Sequence, residues 1–284
     1  MSLVIATACG SVVLALLTFV PLAWKWQLGV RPTAIAMGTV ALLSGLGVGV
    51  GAEAAGAPIV AALVVAWLVI LVAGAFILVY RFYRDPERVA PERDDVVVSP
   101  ADGEVVYVRE STAGLLPMAT KNGRPYRLEE LTKTRFRWED AVVVGISLNF
   151  LDVHVNRAPV SGRITSQRRF PGRFGSLRRP EMIFENERAT IVIDQGALEV
   201  AVVLIASRLV RRIITFLDIG DRVALGQRIG MIRFGSQVDL VIPASINLRL
   251  LVGPGDKVVA GETVVALVGP RAQQGATVAG LAHA

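Results

Sequence analysis

Gly220-Asp221-Arg222-Val223-Ala224-Leu225-Gly226-Gln227-Arg228-Ile229 returns 35 residues later as Gly255-Asp256-Lys257-Val258-Val259-Ala260-Gly261-Glu262-Thr263-Val264. Both stretches read Gly-Asp-basic-Val-x-x-Gly-x-x-aliphatic. Each starts with a tight Gly-Asp turn that feeds a β-branched strand. Such duplication marks one supersecondary unit used twice. A second pair is Pro100-Ala101-Asp102-Gly103-Glu104-Val105 and Pro159-Val160-Ser161-Gly162-Arg163-Ile164. Around these units short apolar stretches alternate with Gly/Pro turns: 96–98, 105–108, 141–148, 163–166, 190–193, 200–205, 228–234, 238–242 and 264–268. This spacing predicts a mainly β domain over 95–270, a sandwich or barrel. Leu115–Trp138 is polar and irregular and reads as a loop or insertion.

The paired units resemble the barrel-sandwich hybrid fold of lipoyl and biotinyl carriers. A carrier needs a lysine at a hairpin tip, flanked by the acidic or Met residues of those families. Neither repeat offers one, so the repeat speaks to fold more than to function.

Working outward, the N-terminal part is different. Residues 1–80 hold only three charges, Lys25, Arg31 and Glu53, and three uncharged runs, Leu3–Trp24, Pro32–Ala52 and Ala54–Tyr80. A spanning helix needs about 20 apolar residues. The reading is a membrane anchor over 1–80 with two or three transmembrane helices. Three spans rank ahead of a two-span hairpin whose glycine-rich middle stretch lies at the interface. Gly45/Gly49 and Gly47/Gly51 provide the small-xxx-small spacing that permits close helix contact in lipid. A cleaved signal peptide fits the first run poorly: no basic residue precedes it and no small-residue cleavage site follows. Residues 81–94, with Pro86 and Pro91, form a charged linker, and 271–284 an Ala/Gly/Gln-rich tail expected to be disordered.

Charge sets orientation. With three spans, Lys25 and Arg31 fall on the same side as Arg81, Arg84 and Arg88, and Glu53 on the other. That basic side is cytoplasmic by the positive-inside rule. Residues 81–284 carry 28 Lys+Arg against 23 Asp+Glu, a surplus of +5, which attracts the domain to anionic lipid. No nucleic-acid motif accompanies the basic charge, and aromatics for base stacking are few. Cys9 is the single cysteine, which excludes an intrachain disulfide and any Cys-based metal site. With only His154 and His283, zinc peptidase and Ser-His-Asp chemistry are disfavoured. No nucleophile elbow, P-loop or dinucleotide fingerprint follows a strand.

What remains is Ile232-Arg233-Phe234-Gly235-Ser236-Gln237-Val238-Asp239-Leu240. A Gly-Ser pair between strands is by itself a turn or bulge. Taken in order with Arg81-Phe82-Tyr83-Arg84-Asp85-Pro86-Glu87-Arg88, Ser99-Pro100-Ala101-Asp102-Gly103, His154-Val155-Asn156-Arg157-Ala158-Pro159, Glu185-Asn186-Glu187-Arg188 and Val259–Val264, it resembles the short bacterial and archaeal type of phosphatidylserine decarboxylase over about 81–268. The resemblance implies a self-cleaving proenzyme. Ser236 Oγ attacks the Gly235 carbonyl, the ester undergoes β-elimination, and the residual dehydroalanine hydrolyses to a pyruvoyl group, the cofactor, with no metal. Fragments 1–235 and 236–284 stay paired. Phosphatidylserine joins the pyruvoyl as a Schiff base, loses CO2 and leaves as phosphatidylethanolamine. Glycine at 235 leaves the carbonyl open to attack and tolerates strain.

By the same resemblance Asp102 belongs to the self-cleavage machinery. An Asx turn at Asp-Gly is its plainer use. His154 is the candidate for protonating the carbanion or holding the substrate carboxylate. The longer enzymes of the family carry H-x-x-H-x-P here, whereas Arg157 stands at the second histidine's place and is no general base at neutral pH. Either His154 supplies the base for cleavage, or strain and oxyanion stabilisation suffice. Arg157, Asn156 and Phe234 are the candidates for substrate binding. A second Phe-Gly-Ser, 174–176, lies in a basic loop with Arg168, Arg169, Arg173, Arg178 and Arg179. It reads as a decoy for cleavage, and the loop as either a contact for lipid phosphates or a solvated loop. The partners implied are phosphatidylserine and membrane lipid, not nucleic acid, with assembly of several copies left open. The competing class is a non-enzymatic membrane-tethered barrel-sandwich adaptor, disfavoured because 109–140 is too short for the helical hairpin such proteins insert. A carrier domain and a pyruvoyl decarboxylase of soluble amino acids rank lower.

Overall fold

Three uncharged runs long enough to cross a bilayer fold as three helices: α1 (Leu3–Trp26), α2 (Val30–Ala54) and α3 (Ile59–Tyr83). The computed structural model describes residues 2–26, 28–117, 125–177, 179, 181–196, 198–207, 213–232, 236–244 and 247–269, with Ser236 described by its backbone. The middle run is a full helix, in line with the three-span reading. Its glycines divide into two kinds. A Cβ on Gly45 would fall 2.7 Å from Ala8 Cα, and one on Gly49 2.8 Å from Val4 Cα, whereas Gly47 and Gly51 meet nothing within 4 Å. Of the two glycine pairs, Gly45/Gly49 is the one that lies against α1, and the Gly47/Gly51 spacing has no such use among the described residues.

The remaining elements run β1 (Val96–Val98), β2 (Gly103–Ser111), β3 (Leu115–Leu116), β4 (Tyr126–Arg127), α4 (Leu128–Thr132), β5 (Ala141–Leu148), β6 (Val155–Arg157), β7 (Gly162–Phe170), α5 (Met182–Glu185), β8 (Arg188–Asp194), β9 (Glu199–Ala206), β10 (Ile213–Thr215), β11 (Arg222–Val223), β12 (Arg228–Ile232), β13 (Ser236–Pro243), β14 (Leu248–Leu250), β15 (Lys257–Val258) and β16 (Val264–Val268). The fold class is the expected one: three apolar N-terminal helices followed by a mainly β domain. An eight-stranded antiparallel sheet has the order β11-β7-β8-β9-β13-β5-β2-β15, and three-stranded sheets run β10-β12-β6 and β1-β16-β14.

The repeats form the two edges of the large sheet. Val223 of the first pairs with Gly162, and Val258 of the second with Gly103, so each Gly-Asp unit docks on one Pro-x-x-Gly unit. The bonds correspond one for one. Ile164 N donates to Asp221 O and Val105 N to Asp256 O, both at 2.9 Å. Gly226 N donates to Ala158 O (2.9 Å) and Gly261 N to Ser99 O (2.8 Å). Gly226 and Gly261 share a left-handed backbone (φ 73° and 76°), and a Cβ on Gly226 would lie 3.4 Å from Gly261 O. The two turns thus meet back to back, a place only glycine fills without strain.

β5, β13 and β9 are central and apolar on both faces. Val144, Ile146, Leu204, Val238 and Leu240 enter one core; Val143, Val203, Ile205 and Val241 enter a second with Leu128, Leu131 and Phe184. The second core corrects the reading of 115–138. Among the described residues that segment carries β3, β4 and α4, and its Leu116, Leu128 and Leu131 are buried against the sheet. By contact density the chain divides into a helical unit, 1–85 with 149–153, and a β unit, 86–148 with 154–284.

Candidate active site

β12 belongs to the small sheet β10-β12-β6 and β13 to the large one, so the chain changes sheets across 233–235. Gly235 and Phe234 lie outside the described residues. Ser236 opens β13, opposite Leu148, the last residue of β5, and Ala206, the last residue of β9. From there β13 is laddered on both sides, through Pro243 with β5 and through Val241 with β9. Leu148 leads directly into 149–153 and then His154.

His154 is fully buried, and its carbonyl accepts the amide of Ile232 at 3.1 Å. The histidine, directly before β6, is therefore bonded to the last residue of β12. Asn156, two residues on and also fully buried, sits opposite Gly230 on β12; its Nδ2 reaches Pro100 O at 3.5 Å, while its Oδ1 meets no hydrogen-bond donor among the described residues. An orphaned buried acceptor is costly and is the kind of atom that awaits a ligand or water.

Arg157 and Asp102 gather elsewhere, around the paired glycine turns. Arg157 donates to Gly226 O (3.0 Å) and Pro86 O (2.9 Å), and its Cδ closes on the space beside Gly261. Asp102 accepts from Ala260 N (2.8 Å) and from Arg88 Nη2 (3.0 Å), and Arg88 also meets Glu262 at 3.4 Å. Its carboxylate thus ties residue 88 to the second repeat instead of capping its own Asp-Gly turn.

The 174–176 Phe-Gly-Ser is no strand, as expected of a decoy, yet it is fastened beside the strand that pairs with Ser236. Asn186 Nδ2 donates to Gly175 O and to Ala206 O, each at 2.9 Å, and its Oδ1 accepts from Gly175 N at 2.8 Å. Arg168 and Arg169 are not in the loop but on β7, paired with β8; Arg169 meets Glu187, Arg173 meets Glu185, and Arg168 and Arg179 are exposed. Arg178 lies outside the described residues.

Sequence reasoning missed a polar cluster on the other face of β13. Asp239, fully buried, accepts from Tyr107 Oη (2.8 Å) and Gln237 Nε2 (2.7 Å), and Gln237 also donates to Tyr107 Oη (2.8 Å). Burial pushes the Asp239 carboxyl up to about 6, against the downward pull of those hydrogen bonds and of Arg188. Tyr107 is held well above its ordinary value by burial and by the neighbouring carboxylate. Arg188, also buried, falls to about 10 because burial disfavours its charge, and it rests on Asn186 O and Leu131 O. The signal was one charge inside Val238–Ile242.

A model of the phosphatidylserine decarboxylase family matches residues 75–266. The chain belongs to this family. It is 41% identical over 208 residues to a phosphatidylserine decarboxylase proenzyme of Symbiobacterium thermophilum, covering 72% of this chain and 86% of that one. A proenzyme of the same description from Novosphingobium aromaticivorans is 34% identical over 248 residues, 87% of this chain and 89% of its own. A putative archaetidylserine decarboxylase proenzyme of Methanocaldococcus jannaschii is 40% identical over 188 residues, 66% and 87%. This member of the family is accordingly a decarboxylase, and its three apolar helices associate it with membrane.

Proposed function

We propose that this proenzyme severs its own 235–236 bond and then converts phosphatidylserine to phosphatidylethanolamine and CO2. The observation that carries the reading is the position of Ser236: the first residue of a central strand, directly after the crossing between two sheets. In sequence its hydroxyl follows the carbonyl of a glycine, which carries no side chain to shield it. Attack by Oγ on the Gly235 carbonyl moves the acyl group from nitrogen to oxygen. Elimination frees the new carboxyl terminus, and hydrolysis of the dehydroalanine releases ammonia and leaves a pyruvoyl group at residue 236. The site fits such a group, because the ladders to β5 and β9 hold the new terminus in place. The pyruvoyl carbonyl supplies a Schiff base with the lipid amine and an electron sink for the bond to CO2.

The chain's own residues do the rest. We assign proton transfer to His154, whose carbonyl accepts the amide of Ile232. Asp102 positions the second repeat through Ala260. Asn156 binds substrate, and Phe234 is kept as a contact for it. Arg157 already spends two donors on Gly226 and Pro86, so we assign it to holding the glycine turns together rather than the lipid carboxylate. The basic residues of 25–31 and 81–88 against Glu53 support a β unit on the cytoplasmic face, and reporters fused within 95–268 should score cytoplasmic; a periplasmic score would reverse the topology.

Mass analysis of mature protein tests the central claim. Two fragments are expected, the smaller beginning with pyruvoyl at 236 and blocked to Edman sequencing. Ser236→Ala should remain one chain without activity. A wild-type preparation that decarboxylates phosphatidylserine as one uncut chain would overturn the mechanism.

A further inference from the structure

The helical unit contains a cleft of about 370 Å³, within the span of about 300–1,000 Å³ common for small-molecule sites. It lies between the C-terminal half of α1, the start of α2 and the C-terminal half of α3, with Phe19, Trp26, Met37, Ala75 and Leu78 in its wall. Gly74 leaves room for the Phe19 ring, which a Cβ there would approach to 2.5 Å. The Gly45/Gly49 contact closes α1 on α2 toward the opposite end of the pair.

Two features separate this cleft from ordinary lipid-facing surface. Arg81, in the last turn of α3, is part of its wall. A guanidinium at the rim of a hydrocarbon-lined groove complements an anionic phosphate at the head of an acyl chain. Leu151 is the second feature. It belongs to the segment 149–153, which is part of the helical unit. Within that segment Phe150 stacks on Trp26 at 5.9 Å and packs on Phe82 at 5.8 Å. Along the chain Leu151 is three residues from Leu148, the ladder partner of Ser236, and three from His154. At about 3.6 Å per extended residue it lies within about 11 Å of both Cα atoms. The wall of the cleft is thus covalently tethered to the site.

We propose that the cleft seats one acyl chain of the lipid that is decarboxylated, with Arg81 at its phosphate. The inference rests on the reading that the substrate is a diacyl aminophospholipid. Apolar burial alone gives a chain little preference for the cleft, because bulk lipid is equally apolar. What the cleft adds is a cation, Arg81, for the phosphate, and a wall residue, Leu151, three positions along the chain from Leu148 and from His154.

The test compares full-length protein acting on dioleoyl- and dihexanoyl-phosphatidylserine in mixed micelles. Ala75→Trp and Ala36→Trp place an indole in the cleft. Each should lower the ratio of kcat/KM for the long-chain to the short-chain substrate at least tenfold; an unchanged ratio overturns the proposal. A second arm uses the unaltered protein in nanodiscs with phosphatidylserine bearing a diazirine on one chain. Adducts on Phe19, Met37 or Leu78 are expected. Adducts confined to outward residues such as Leu17, Val72 and Phe76, equal labelling of the cleft by a diazirine phosphatidylcholine, or a second copy cross-linked through it would each overturn the proposal. Decarboxylation of neither substrate by the wild type would remove the parent reading together with this one, whereas normal short-chain turnover with an unchanged ratio would remove the cleft alone.

Discussion

Asp239 shows what a single buried charge does to the strand that carries Ser236. The carboxyl titrates at about 6 in the fold and near 3.8 when unfolded, so the folded state binds the proton more tightly. Its contribution is neutral below about pH 4, turns unfavourable as pH rises through about 4 to 6, and stays unfavourable above that. The two-unit gap corresponds to on the order of 3 kcal/mol as an upper bound. Asp239→Asn keeps the shape, can accept from Gln237 and can donate to Tyr107. The variant should therefore lose less apparent Tm than wild type between pH 4 and pH 7.5 and should be at least as stable at the higher pH. Thermal unfolding in detergent across that range measures it, and parallel curves for the two proteins would contradict the assignment. At this scale Ser236, His154 and Asn156 were visible in the sequence because each sits in a short ordered motif. The Asp239 cluster was not, since its partner Tyr107 lies 132 positions away and only the β2–β5–β13 pairing brings the two together. Asn186 escaped for the same reason: its value comes from bonding Gly175 and Ala206 at once.

Among the elements, α2 gives the sharpest contrast. Gly45 and Gly49 lie against the backbone of α1, while Gly47 and Gly51, one turn-face away, touch nothing within 4 Å. Leucine at 45 would have to push the helices apart, at a cost of about 1–3 kcal/mol typical of overpacking; leucine at 47 would meet only lipid. Gly45→Leu should lower the apparent Tm in detergent, and Gly47→Leu should leave it within experimental error. Equal losses for both would show that glycine acts in α2 by some route other than α1 contact. Small-xxx-small spacing announced both glycine pairs, but spacing alone does not say which face a neighbour occupies. The segment 115–138 fails in the opposite direction. Its helix is a single turn, α4, and its strands are two residues each, too short for periodicity to register. Its order comes from tertiary burial of Leu116, Leu128 and Leu131 on the second face of the sheet. The long strands were legible because β5 and β9 are nearly continuous apolar runs of central-strand length and β13 is one broken by Asp239.

For the molecule as a whole, the duplicated Gly-Asp units carry a consequence for processing. The first repeat lies before the 235–236 bond and the second after it, so the proposed cleavage would place the two edges of one sheet on different fragments. Fragment 236–284 supplies β13 at the centre of the large sheet, β15 at its edge and β16 between β1 and β14. Its hold is therefore interleaved: β13 is laddered on both sides, β15 pairs β2, β16 pairs β1, and Ala260 N binds Asp102 of the other fragment. Val238, Leu240, Ile242, Val258, Val265 and Ala266 are buried in the same core as Ile146 and Leu204. Burying each valine, leucine and isoleucine among them stabilises by about 1.5–3 kcal/mol, so the set is ample to hold the small fragment without a peptide bond. After self-cleavage the two fragments should co-elute on size exclusion in mild detergent and separate only in denaturant, at the concentration where the β unit itself unfolds. Release of 236–284 in mild detergent, with the large fragment still folded, would mean that the ladder around β13 does not carry the assembly. Asp102→Ala removes the acceptor for Ala260 N and the partner of Arg88, and should move that separation to lower denaturant while leaving β13 in place.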